Sequence, residues 1–327
     1  GNTAIYAHLN DFIPAYNPYV RAEQHRTQSY TVDLYPEADT FRIKRGQLIG
    51  YSGQTGIGVP HLHWEIRDRS DAPINPRALG ITWPDTTTPR FQALLVIPTT
   101  PETTINGDYL PVILPVTRMD NGHYRVASAR VRGSVAIGVD LYDPADQGGS
   151  KLGVYDITTT ADDEPIFQMR HERVSYLHWG DGVVAYHPYY RKEGKFLMQW
   201  PWPDMETELY ANSTGTGEIQ VTNTARRVRI EATDFFDHTQ TLTLQLKPDT
   251  MAPPSTPSDT KLDSGTGTVF YNAVGDWLVV SVHFTVPESV LPILLESGLP
   301  STTASFTRVN AQTFRAQFRP DPNALYA

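Results

Sequence analysis

Proline is the residue that most limits what this chain can fold into. It occurs 26 times in 327 residues, spread along the chain. Each proline removes a backbone donor and clashes with the preceding helical turn, so little room remains for long helices. Between the prolines lie short runs rich in Val, Ile, Tyr and Thr, bounded by Gly, Asp and Asn, which is the signature of strands and turns. The pattern predicts a mainly β chain with strands near 93–97, 131–141, 154–159, 218–222, 228–232, 241–246 and 276–285. Brief helices are expected at 16–26 and 289–297 only. Short strands separated by turn residues over 91–246 are the pattern of an antiparallel, Ig-like β-sandwich.

Three domains are expected. Residues 1–83 form the first, with 14–41 as an excursion between two strands. A linker at 85–89 leads to a sandwich over 84–250, interrupted by a Trp- and Tyr-rich insertion at 176–210. A Pro- and Ser-rich stretch at 247–257 leads to a second β domain over 251–327, which ends after few strands, as a shortened domain would.

Charge and composition remove several classes of function. Lys and Arg number 27 against 36 Asp and Glu, a formal charge of −9, so no basic face for nucleic acid is expected. No apolar run nears the roughly 20 residues that span a bilayer. Cysteine is absent, which rules out disulfides, thiolate zinc sites and a cysteine nucleophile.

Chemistry concentrates in Gly50-Tyr51-Ser52-Gly53-Gln54-Thr55-Gly56-Ile57-Gly58-Val59-Pro60-His61-Leu62-His63-Trp64-Glu65-Ile66-Arg67. If 61–67 is a strand, His61, His63, Glu65 and Arg67 share one face, and Leu62, Trp64 and Ile66 the other. Two imidazoles side by side can reach one ion or one substrate atom, and neutral imidazole is a good zinc ligand. An amphipathic strand with a solvated face gives the same alternation, so the pair alone does not separate the two. A phosphate-binding loop would need a helix after the glycines, and a strand is expected there. In Tyr6-Ala7-His8-Leu9, a strand would put Tyr6 and His8 on one face and Ile5, Ala7 and Leu9 inward.

Four blocks in this order carry a resemblance: Tyr6-Ala7-His8-Leu9, Lys44-Arg45-Gly46-Gln47-Leu48-Ile49-Gly50, Ser52-Gly53-Gln54-Thr55-Gly56 and Pro60-His61-Leu62-His63-Trp64-Glu65-Ile66-Arg67. Together they resemble the C-terminal half of an M23 (LytM/lysostaphin-type) zinc metallopeptidase, over roughly the first quarter of the chain. The wider layout resembles a bacterial subgroup in which β-sandwich domains follow the peptidase. The resemblance implies an incomplete antiparallel β-sheet peptidase core. It makes His63 a ligand of one Zn2+, and His8 and His61 the active-site histidines that serve the zinc-bound water or the oxyanion. It implies hydrolysis of peptide bonds in peptidoglycan, in the periplasm or outside the cell, with the β domains offering a surface for protein or glycan contact. Val59 stands where the family commonly has Gly. The family's other two ligands come from an upstream His-x-x-x-Asp motif. No histidine here has Asp four residues later, so the ligand set is incomplete. A chain opening inside an expected hairpin reads as a fragment of a longer, active protein and is itself expected to be inactive. The alternative is a non-catalytic M23-like module that binds or regulates an envelope partner, and a purely structural β protein is the third choice.

The remaining candidates read as structure. Glu65 is expected to pair with Arg67 rather than act as a base. His25, His123, His171, His178, His187, His238 and His283 show no metal spacing. The aromatic cluster of Trp179, Tyr186, Tyr189, Tyr190, Trp200 and Trp202 reads as packing of the insertion. Asp140, Asp143, Asp146, Asp162 and Asp163 do not have the spacing of a calcium loop and read as solvated turns.

Overall fold

A computed structural model describes residues 1–56, 58–100, 102–108, 110–146, 149–175, 185–187, 190–201, 207–250, 267–274, 277–284, 292, 295–296, 299–300, 304–309 and 311–321. The expected helix at 289–297 falls largely outside these residues, as do Trp179, Tyr189, Trp202 and most of the second linker. The chain is mainly β and divides into two compact units, Gly1–Ile81 and Thr82–Ala327.

The first unit holds β1 (Thr3–Ala7), β2 (Leu9–Phe12), α1 (Asn17–Thr27), β3 (Gly50–Ser52), β4 (His63–Arg67) and β5 (Pro73–Ile74). The order β1-β4-β5 makes one antiparallel sheet, and β2 pairs with β3 in a separate hairpin. Helix α1 lies within the expected excursion. Pro18 opens it, where the missing N–H costs nothing, and Gln28 ends it in the left-handed conformation. The interior is thin: Ile66 and Ala72 are its buried hydrophobic residues among those described.

The second unit begins with β6 (Arg90–Pro98), β7 (Thr104–Ile105), β8 (Val112–Arg118), β9 (Tyr124–Val126), β10 (Ala129–Pro144), β11 (Lys151–Leu152), β12 (Asp156–Ala161) and β13 (Glu164–Arg170). Next come β14 (Leu197–Met198), β15 (Ile219–Val221), β16 (Arg226–Thr233) and β17 (Thr239–Pro248). Instead of two separate sheets, these strands form one connected system. The ring β10-β6-β8-β9-β17 closes on itself where Ala129–Val131 runs parallel to 246–248, and β16, β12 and β13 extend from β17. The long β10 makes this closure possible by pairing with different partners along its length. It bends at Gly133, whose φ of +99° and close approach to Thr103 leave no room for a side chain. A bulge at Asp140/Leu141 bends it again.

The run Ala93-Leu94-Leu95-Val96-Ile97 is apolar without alternation because β6 is buried on both faces. Leu94 and Val96 enter the main core with Val135, Ile137 and Val139, while Leu95 and Ile97 meet Ala136, Phe196 and Met198 on the other face. Tyr190 and Trp200 pack against that second cluster, so these described residues of the insertion act as a cover over β6 and β10.

The last part of the second unit contains β18 (Gly267–Val274), β19 (Trp277–Phe284), β20 (Leu295–Glu296), β21 (Leu299–Pro300), β22 (Thr307–Arg308) and β23 (Thr313–Phe318). Strands β18-β19-β23-β22 form a sheet over a separate cluster that includes Val280, Val282, Phe306, Phe314 and Phe318.

Candidate functional site

The three singled-out histidines come together in the first unit. The His8 ring lies 4.7 Å from that of His61 and 5.7 Å from that of His63, centroid to centroid. His63 opens β4, with Ala7 opposite it in the register. His61 precedes the strand proper and is tied to the glycine loop by an isolated bridge to Gly53. His61 N–H donates to Gly53 O at 3.0 Å, and Gly53 N–H donates to His8 O at 2.9 Å. Gly53 therefore links both histidine segments. A Cβ there would lie 2.5 Å from Asn10 Cβ, so no larger residue fits without a shift.

His8 corrects the expected strand geometry. It follows β1 and stands between β1 and β2, with φ of +57°. A left-handed residue at this point turns the chain from pairing with β4 to pairing with β3. For a side chain with a Cβ this costs roughly 1–2 kcal/mol, and such strain gathers at functional positions. A hydrogen bond offsets it: His8 Nδ1 meets Thr55 O at 2.6 Å. His61 Nδ1 likewise meets Val59 O at 2.7 Å. A carbonyl only accepts, so each Nδ1 carries the proton and each Nε2 is left as the acceptor, the tautomer suited to a base or a ligand.

On β4 the alternation holds in part. Ile66 is buried and Trp64 half-buried on the core side, but Leu62 is 49% exposed because regular pairing starts only at His63. On the polar side Glu65 Oε1 accepts from Arg67 at 2.5 Å, and Arg67 reaches on to Asp71 at 3.1 Å. His63 Nε2 stands 3.7 Å from Glu65 Oε1, leaving Nδ1 as its freer nitrogen. Glu65 is thus engaged with Arg67, as its position suggested. Among the described residues of this unit, no three His, Asp or Glu donor atoms lie within 4.8 Å of one another. By themselves these residues do not make a zinc site.

A different group does meet that spacing. Donor atoms of Asp85, Asp234 and His238 all lie within 4.8 Å of one another in the second unit. The sequence signal for them is Asp234-Phe235-Phe236-Asp237-His238, a His-x-x-x-Asp spacing in reverse, which a pattern of Asp following His does not detect. Asp140 and Asp143 are also not in solvated turns. Both lie within β10, and Asp143 is only 4% exposed.

No protein-family model, characterised protein or solved structure matches this chain.

Proposed function

We propose that the first unit is the histidine-bearing half-site of an M23-type zinc metalloendopeptidase that cuts peptide bonds of peptidoglycan in the bacterial cell envelope. The observation that supports this is the meeting of His8, His61 and His63, brought from two segments onto one spot, with Nδ1 of two rings fixed on backbone carbonyls. His63 is the residue that would hold zinc, through the nitrogen turned away from Glu65. Zinc, when bound, would polarise the scissile carbonyl and acidify water. His8 and His61 present Nε2 as proton acceptors, and each can return its proton to the leaving amine. Gly56 and Gly58, both at positive φ, lie beside the His8 and His61 rings.

The test places a His-x-x-x-Asp hairpin ahead of Gly1 to complete the ligand set. His63→Ala should then lose zinc by metal analysis. His61→Ala and His8→Ala should keep zinc and lose roughly a hundred- to thousand-fold in peptide release from purified peptidoglycan. Full activity in all three variants overturns the peptidase. The lack of a chelating triple among the described residues of the first unit favours a second reading, a non-catalytic module that binds an envelope partner. Retained binding to peptidoglycan with no release by the completed protein would select it.

A further inference from the structure

A cluster of metal-ligating side chain types lies in the second unit. The linker enters this unit through Asp85, Thr86 and Thr87 and is held against the end of β10. Thr86 N–H donates to both carboxylate oxygens of Asp146, at 3.0 and 3.1 Å, its hydroxyl donates to Asp146 at 3.0 Å, and the Thr87 hydroxyl donates to Pro144 O. Asp85 Oδ1 caps the turn by accepting from Thr87 N–H at 3.1 Å, so Oδ2 remains for another partner. On the opposing β16–β17 turn, Asp234 Oδ1 accepts from the Phe236 and His238 backbone N–H groups at 2.6 and 3.0 Å. Asp234 Oδ2 meets His238 Nδ1 at 2.8 Å. The His238 ring lies parallel to Phe236, which in turn packs against Trp83 at 6.0 Å. Linker and turn therefore deliver donor atoms to the same place.

Asp143 supplies the independent observation. It sits in β10 one residue before the carbonyl that holds Thr87, is 4% exposed, and its Oδ1 is buried with no hydrogen-bond partner. The carbonyl of the next residue, Pro144, accepts from the Thr87 hydroxyl, whose oxygen lies 3.2 Å from Asp85 Oδ1, so Asp143 stands beside the linker carboxylate. A buried carboxylate oxygen without a donor is costly, and a cation beside it would offset that cost.

We propose that Asp85, Asp234 and His238, with the buried Asp143 carboxylate beside them, bind one divalent transition-metal ion, Mn2+ or Zn2+, which staples the entry linker to the barrel. Carboxylates with one imidazole are a mixed oxygen–nitrogen set suited to these ions, whereas Ca2+ takes six to eight oxygens and does not favour imidazole.

The full chain, stripped with a chelator, is titrated calorimetrically at pH 7.5 with MnCl2, ZnCl2 and CaCl2 in separate runs, and its melting is followed with and without each ion. The expected result is one saturable Mn2+ or Zn2+ equivalent that raises the melting temperature. Asp143→Asn and Asp234→Asn should weaken this binding at least tenfold and lose the thermal gain. To separate this equivalent from any zinc held by the first-unit histidines, His63→Ala is run alongside and should keep the equivalent assigned here. If Asp143→Asn does not fold by circular dichroism, Asp85→Asn on the linker reads the same loss. No saturable Mn2+ or Zn2+ binding overturns the site, as does binding unchanged in Asp85→Asn and Asp234→Asn, or Ca2+ binding at least as tightly. An Asp143→Asn chain more stable than the metal-treated parent also overturns it, since the carboxyl would then be a neutral interior group.

Discussion

His8 shows how one backbone angle decides what a side chain can do. Its φ of +57° lets one residue leave the β1 sheet and enter the β2 hairpin while aiming its ring at His61 and His63. Glycine adopts this angle without the steric cost that a Cβ brings. His8→Gly is therefore expected to be about 1 kcal/mol more stable than His8→Ala, while both lose the function of the ring. Hydrogen exchange at the Gly53 amide, which bonds His8 O, reads the difference: protection should be several-fold greater in the glycine variant. Equal protection would show that the angle is unstrained. The His-x-His pair and the glycine loop were legible from residue types and spacing alone. The conformation of His8 was not, since nothing in Tyr6-Ala7-His8-Leu9 marks a left-handed residue without glycine or asparagine. Nor could spacing join Asp85 to Asp234 and His238, since the fold alone brings linker and turn together.

At the scale of elements, most strands of the second unit were legible because β-branched runs between turn residues announce them. The expected 93–97, 131–141 and 241–246 are the hearts of β6, β10 and β17. What the runs could not tell is which partners β10 takes, since pairing depends on bends at Gly133 and Asp140 rather than on hydrophobicity. The insertion was legible as aromatic, and its described part covers β6 and β10 with Phe196, Met198, Tyr190 and Trp200. His187 belongs to this cover, is 1% exposed, and burial pushes its pKa down to about 4 from 6.5. The folded chain thus binds this proton less readily than the unfolded chain. Stability from this group is full above about pH 6.5 and falls as the pH drops toward 4. The loss should be on the order of 2–3 kcal/mol, read by urea unfolding of the full chain at several pH values. His187→Gln should flatten the profile in that window. An unchanged slope would show that other groups set the acid sensitivity.

The whole molecule joins two units of unequal interior. Hydrophobic clusters run through the second, while in the first Tyr30 and Tyr35 are 96% and 90% exposed and Ile43 and Leu48 stand half open. Residues 28–49 hold no strand, and few backbone hydrogen bonds tie them down. Local opening is easiest where buried contacts and backbone bonds are few. Brief chymotrypsin digestion should therefore cut after Tyr30 at least tenfold faster than within the strands β6 to β17, as followed by mass spectrometry; the Tyr35–Pro36 bond resists the enzyme because proline follows. A first cut inside the barrel would contradict this order of stability.

The seam that closes the barrel has a consequence for synthesis. One edge of Ala129–Val131 finds its partner only at 246–248, so the ring cannot close until more than a hundred further residues have left the ribosome. Up to that moment one edge of β10 is an unpaired strand on a nascent chain. Long-range pairing of this kind is slow and leaves such edges open to wrong partners. A ribosome stalled before Leu246 would hold an open sheet, and one stalled well past Pro248, with the seam clear of the exit tunnel, a closed barrel. The barrel thus becomes resistant to proteolysis in a single late step of translation.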